Sequence, residues 1–413
     1  MSAFNRASHS TRMRVLVVGG GFAGAMAAVR LAGRSKGRVE VTVVNPRAAF
    51  VNRIRMHHVA VGRPVPFPSL SSLLGSGVTF VEGYVTALEP ELGRAEVSGP
   101  AGIRTVSFDR VVLATGSTTE RAPIAGHQHV YGVGDIDAAH RLRPALASLS
   151  EGSTVTVVGG GLTGLETVAE IAESRPDLDA RLLTAGEIGG WFDTRGQEYV
   201  RGTLGRLRVD AVGGTRVRAA EPGRLHLDSG IEVPSDLTVW CGGFAAPPLP
   251  RESGIAVDEQ GAVLTDAAMR SISHPSVLAV GDSGHAPGPG GGRYSMSCQF
   301  AFPSGAHAAD VLLREALDDA GENPGREDAD ALDLGFLGRC VSLGRRAAIL
   351  QLTDKEDVAT GRSAVTGRTA VMIKRVQLAG MAAAVSTERR LPGLVRWPKG
   401  EPVTARHTQT VTG

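Results

Sequence analysis

Three features of the sequence predict an α/β chain with two parallel-sheet domains and a smaller third one. VLVVGGGFAGAMAAVRLAG begins at Val15 and VTVVGGGLTGLETVAEIAE at Val155, so one strand–glycine turn–helix device occurs twice, 140 residues apart. Short β-branched apolar runs alternate with helical stretches, as in buried parallel strands. At 413 residues the chain exceeds what one hydrophobic core ordinarily serves, which favours two or three domains.

The elements follow in order. Residues 1–12 are polar and read as a leader lacking the apolar core of a signal peptide. An apolar run from Met13 ends at Gly19, a small-residue helix follows, and VEVTVVN (Val39–Asn45) is the next strand, which makes one βαβ unit. VTFVEGYVTALE (78–89) and RTVSFDRVVLATG (104–116) add strands, and DIDAAHRLRPALASL (135–149) is helical. The second unit starts at Thr154 and runs through ARLLTAG, with strands near Arg224–Leu227 and 237–241. SVLAVGDSG (276–284) is another apolar strand, APGPGGGRYS a loop and GAHAADVLLREAL a helix. The acidic DDAGENPGREDADALD reads as a linker to a last domain over 332–397, and 398–413 as a tail.

Composition narrows the function classes. A hydrophobic content of 42% fits a globular chain, and a net charge of +2 provides no field to steer nucleic acid. Cys241, Cys298 and Cys340 are too few for a disulfide framework, so a reducing cytoplasm is expected. Outside the glycine-interrupted run 13–29 there is no charge-free apolar span of membrane length. GDSG looks like a serine-protease loop, but an alternating strand–helix chain is the wrong context for it. His57-His58 lacks the spacing of a metal site, and no metal is expected.

Gly19-Gly-Gly21-Phe-Ala-Gly24 and Gly159-Gly-Gly161-Leu-Thr-Gly164 both match the dinucleotide fingerprint. Its first glycine makes the tight turn, its second admits a pyrophosphate to the backbone, and its third lets helix and strand pack closely. The phosphates then face the positive end of a helix. A single match is weak; two, each after a strand and opening a helix, predict two bound dinucleotides. A flavin and a nicotinamide are the economical pair, since hydride passes between them.

Further segments carry a resemblance. VVLATGS (111–117), VWCGGF and PPL (239–249), GAVLTDAAMRSISHPSVLAVGDS (261–283) and CQFAFPSGAHAADVL (298–312) resemble the FAD-dependent pyridine nucleotide-disulfide oxidoreductase superfamily, and within it the type II NADH:quinone oxidoreductases, over about residues 13–380. No CxxxxC follows the first fingerprint, which sets the chain apart from the disulfide reductases of that group. The resemblance implies two Rossmann-like domains: an FAD-binding domain over 13–118 and 272–325 with an NAD(P)H-binding domain, 119–271, inserted in it, followed by a small α+β C-terminal domain.

On that resemblance Gly19, Gly21, Phe22, Ala23 and Gly24 would hold the FAD pyrophosphate. Asn45 would take the ribose position, 21 residues past Gly24, where relatives carry Glu or Asp. Arg53 would meet phosphate or else be a solvated helix charge, and His58 would line the acceptor pocket or likewise be solvated. Val85, Ala114, Thr115 and Gly116 would pass near the cofactor, Gly281 and Asp282 would face its ribityl chain, and Cys298, Gln299 and Phe300 would open a helix against the flavin. In the second unit Gly159, Gly161, Leu162, Thr163 and Gly164 would cradle NADH or NADPH. Thr184 stands where NADH-preferring relatives have an acid, which leaves the coenzyme open, and Gly242 and Gly243 would admit the nicotinamide. Glu166 and Gln299 are the candidate catalytic residues, with helix capping the competing reading of Glu166 and inert packing that of Cys298. Pro303 replaces a second Gln of the family pattern.

The function so implied is hydride transfer from NAD(P)H to FAD, with the electrons passing to a small acceptor, a quinone or quinone-like aromatic. A tailoring oxidoreductase acting on a dedicated metabolite, and an FAD/NAD(H)-binding redox sensor without turnover, are the alternatives. The apolar, basic-flanked C-terminal stretch favours domain packing or a homodimer over an interfacial membrane helix.

Overall fold

The computed structural model describes residues 12–118, 122–288, 292–318, 331–361 and 364–400; the leader 1–11, the acidic linker from 319 to 330 and the tail from 401 lie outside the described residues. A five-stranded sheet runs in the order Val277–Ala279, Arg110–Leu113, Met13–Val18, Val39–Asn45 and Thr79–Glu82, with every pairing parallel. A second has the order Asp210–Val212, Asp179–Leu183, Thr154–Val158, Leu237–Trp240 and Val130–Gly132, again parallel throughout. In each, the strand leading into a glycine turn is central. It pairs with the next strand of its βαβ unit on one side and with a strand returning from later in the chain on the other. That reversal opens the crevice where open α/β sheets bind ligands.

The apolar runs become strands because both faces are covered. Val15 and Val17 pack into one core and Leu16 and Val18 into another, and all four are buried. The helix Phe22–Arg34 buries its alanines against the helix Cys298–Asp318, so residues from both halves of the sequence close this domain. A Cβ on Gly305 would run into the backbone carbonyl of Ala23, so glycine sets that close helix approach.

Two sequence runs divide between sheets. VTFVEGYVTALE breaks at Gly83, giving Thr79–Glu82 to the parallel sheet and Tyr84–Glu89 to an antiparallel one with Arg94–Gly99 and Gly102–Ser107. A Cβ on Gly83 would stand 2.8 Å from the Ser98 carbonyl oxygen, so the strands cross there only without a side chain. The edge strand Val130–Gly132 has three residues, too few for a periodic signal.

The C-terminal unit pairs Gly338–Ser342, Ala348–Leu352 and Val365–Thr366 antiparallel and adds the helix Gly367–Arg390. Buried Arg30 of the first turn helix reaches Asp310 at 2.9 Å and the fully buried Glu388 of the last helix at 3.0 Å. Among the described residues no helix is long and apolar enough to cross a membrane.

Candidate active site

The two turns repeat each other closely. Gly19 has φ +105° and Gly159 φ +120°, values an L side chain rarely takes. A Cβ on Gly24 would strike the Gly19 carbonyl oxygen, and one on Gly164 the Gly159 carbonyl oxygen. A Cβ on Gly21 or Gly161, by contrast, would meet nothing within 4 Å. Each turn is thus closed behind and open in front. That cradle fits a pyrophosphate, and it fits one at both places.

Between the turns lies a cavity of about 680 Å³. Ala23 and Asp282 border it from the first domain, Gly161 and Leu162 from the second, and Leu378 and Met381 from the C-terminal helix. The C-terminal unit lines it with both apolar side chains (Phe336, Leu378, Met381) and charged ones (Arg339, Asp357, Lys374), and the glycine turns line it mainly with Phe22, Ala23 and Leu162. A separate, polar cavity of about 430 Å³, bordered by His127, His129 and Glu221, touches neither turn.

One end of the large cavity carries a buried charge cluster. Glu166 Oε1 accepts the Ser342 N–H at 3.0 Å and lies 3.0 Å from Lys374 Nζ, which also donates to the Cys340 carbonyl at 2.7 Å. His57 Nδ1 stands 3.9 Å from Glu166 Oε2. Burial by itself would raise the Glu166 carboxyl, but the Lys374 charge, then His57 and the Ser342 bond, bring it below the ordinary range. Burial would likewise lower Lys374, and Glu166 more than reverses it. Burial keeps His57 neutral and pushes its neighbour His58 down to about 2. Glu166 is not in its helix's first turn, so it caps nothing; it binds the C-terminal domain instead.

The remaining sequence-predicted residues fall into three groups. Phe22, Arg53, Ala114, Gly116, Gly281, Cys298, Gln299, Thr163 and Gly243 border the cavity with those already named. Arg53 donates twice to the Gly134 carbonyl, at 3.0 and 2.9 Å, and so bridges the first two domains. Gln299 Nε2 donates to the Gly338 carbonyl at 2.8 Å, and burial raises the Cys298 thiol. A second group supports the wall: Ser117 donates to Asp282 at 2.6 Å, and Thr115 meets Ser283 at 3.1 Å. Asn45 accepts the Gly20 N–H at 2.9 Å and donates to the Arg47 carbonyl at 2.8 Å, bracing the turn with both ends of its amide. Thr184 is buried beside Gly160, and Gly242 accepts from the Trp240 indole. A third group turns to packing: Phe300 stacks on Tyr294 with ring centroids 5.0 Å apart, and Val85 packs beside the core around Leu88. Pro303 is buried in its helix.

Sequence reasoning singled out His58, but His57 is the histidine on the cavity wall, while His58 faces Glu170 at 3.8 Å. Lys374 and Cys340 were missed as site residues, because the contacts that bring them there span the whole chain. A lone lysine in an apolar helix of a lysine-poor chain was the available signal.

The family model of the pyridine nucleotide-disulphide oxidoreductases matches residues 13–305. An NADH dehydrogenase-like protein of Mycobacterium tuberculosis is 28% identical over 389 residues, covering 88% of this chain and 94% of its own. The demethylphylloquinone reductase of Synechocystis is 25% identical over 311 residues, covering 70% of this chain and 76% of its own. Among solved structures, NDH2 from Plasmodium falciparum in complex with NADH matches with a TM-score of 0.75 at 14% identity, covering 92% of this chain and 99% of its own, a likeness of fold.

Proposed function

The chain belongs to the pyridine nucleotide-disulphide oxidoreductase family, and from that premise we propose that it is a dehydrogenase delivering the electrons of NAD(P)H to a quinone or quinone-like aromatic. It is an oxidoreductase that uses FAD and NAD(P)H. When bound, the flavin supplies a two-electron relay between hydride donor and acceptor. The observation that carries the reading is the cavity of about 680 Å³ shared by both glycine turns and the C-terminal helix. The name of the quinone-reducing relative supports the acceptor class.

In this reading Gly19, Gly21 and Gly24 hold FAD, while Gly159, Gly161 and Gly164 receive the coenzyme through backbone N–H groups. Asp282 and Gln299 orient the flavin side of the cavity. Leu378 and Met381 exclude water and face an apolar acceptor ring. The Lys374 ammonium, held beside the cavity by Glu166, stabilises negative charge developing on an acceptor oxygen. Three free cysteines suit a reducing cytoplasm, and exposed Met372 and Val376 on the last helix suit a homodimer contact. Pro303, in place of the family's second Gln, favours a dedicated metabolite as the second reading of the acceptor.

Anaerobic mixing tests this directly. The purified yellow protein is expected to bleach rapidly with NADH or NADPH and to regain its colour with menadione. A protein that takes up no FAD, or that bleaches and is reoxidised by no quinone, would refute the proposal.

A further inference from the structure

Glu166 and His57 face each other across a gap that their protein partners leave unfilled. The Ser342 and Lys374 contacts both end on Glu166 Oε1, while Oε2 stands 3.9 Å from His57 Nδ1. That separation is too long for a hydrogen bond between the two. Both residues are more than nine-tenths buried, and both border the large cavity beside Leu162 and Thr163. The wall here therefore offers two polar atoms, side by side, to whatever occupies the cavity.

Their hydrogen-bonding character is fixed by the surroundings. Glu166 is ionised by Lys374, so Oε2 only accepts. His57 is neutral, because burial dominates its titration, and one ring nitrogen carries the proton. Its Nε2 is buried with no partner among the described residues. Buried N–H groups are seldom left orphaned, and the carboxylate beside Nδ1 attracts the proton. Nδ1 is therefore the donor and Nε2 the bare nitrogen. A donor and an acceptor 3.9 Å apart are spaced more widely than the oxygen and nitrogen of one planar amide, so two hydrogen bonds of ordinary length can converge on that amide from the pair.

We propose that His57 is a binding residue for the coenzyme: with Glu166 it clamps the nicotinamide carboxamide, His57 Nδ1–H donating to the amide oxygen and Glu166 Oε2 accepting from the amide nitrogen. This rests on the coenzyme reading given above. The nicotinamide is favoured because Glu166 lies on the helix opened by the second glycine turn, two turns or less from Leu162 and Thr163. The imide edge of the flavin has the same chemistry, an N–H beside a carbonyl, and the test separates the two.

The test is calorimetric binding of the oxidised coenzyme and its thionicotinamide analogue to the FAD-loaded, oxidised enzyme, in whichever form (with or without the 2′-phosphate) the wild type prefers. Sulfur for oxygen weakens the bond from His57, whereas the thioamide N–H, a somewhat better donor, keeps its bond to Glu166. The wild type is expected to bind the analogue about threefold more weakly, and His57→Leu to lose that difference along with roughly fivefold in affinity for the natural coenzyme. In His57→Asn, whose amide nitrogen takes the place of Nδ1, the difference should persist, which also covers the case in which His57→Leu folds poorly. Equal binding of the two dinucleotides by wild type would overturn the clamp. So would a His57→Leu enzyme with the wild-type ratio; if that variant also sheds FAD, the pair serves the flavin edge instead. A wild type that binds neither dinucleotide would sink the coenzyme reading itself.

Discussion

The helices Phe22–Arg34 and Leu162–Ser174 have the same length, 13 residues, and each starts from an extended glycine with no side-chain cap. What covers them differs. The first lies on the helix Cys298–Asp318 through alanine and glycine, and its one buried charge, Arg30, is matched by Asp310 and Glu388. The second presents Glu166, Glu170 and Glu173 along one face, to His57, His58 and Arg63 on one side and to Lys374 and Arg345 on the other. Identical turns thus sit in a dry, closely packed setting and in an ionic one. Dense packing suits a cofactor that stays, since it leaves no slack in the cradle. Ion pairs reaching two other domains suit a coenzyme that comes and goes, because they tie the second turn to the cavity floor without filling it.

The largest expected effects come from breaking the two turns separately. Gly24→Val drives a side chain into the Gly19 carbonyl oxygen, and the protein is expected to purify colourless or not to fold. Gly164→Val makes the equivalent clash at Gly159, and here a yellow protein is expected whose bleaching by coenzyme slows roughly a hundredfold. Flavin absorbance and stopped-flow reduction check both; equal loss of FAD in the two variants would erase the contrast.

A smaller effect separates the two kinds of cover. Arg30→Ala removes the counter-charge of the fully buried Glu388, which keeps only the Gly393 and Val395 N–H groups, while Arg34 still pairs with Asp310; a cost of about 3 kcal/mol is expected in urea denaturation. Lys374→Met strands Glu166, but beside a cavity that admits water and with the Ser342 N–H still in place, so about 1–3 kcal/mol is expected. Adding Glu166→Gln to Lys374→Met should return most of it.

The smallest effect is read from pH. Folded His57 and His58 sit below the ordinary value of 6.5, so beneath that value the unfolded chain binds more protons and stability falls as pH falls. Each ring contributes up to about 1.4 kcal/mol per pH unit, His58 until about 2. Denaturation midpoints between about pH 7 and 5 should decline less steeply in His57→Leu than in wild type. An unchanged slope would mean that the ring already titrates freely in the folded protein.

Much of this was legible in the sequence, because the turns are local. A fingerprint glycine announces its own conformation, and β-branched runs bounded by glycine place the central strands. Side-chain destinations were legible only where they are set nearby. Which of two adjacent histidines reaches the cavity depends on the one-residue phase of the short helix Met56–Ala60, and sequence alone does not set that phase. The partner of Glu166 is Lys374, far along the chain, and chemistry shared across that distance leaves no spacing to read. Asn45 was read as a ribose contact from its position alone; that both ends of its amide brace the turn needed coordinates.

The bridge from Arg30 to Glu388 also bears on how the chain is made. The first glycine turn is synthesised before the second, but its sheet then lacks Val277–Ala279, its helix lacks Cys298–Asp318, and its buried guanidinium waits for a carboxylate 358 residues further on. The second sheet, drawn from Val130 to Trp240, can close while synthesis continues. The nascent chain therefore completes its second cradle before its first, and flavin loading waits for the last helix.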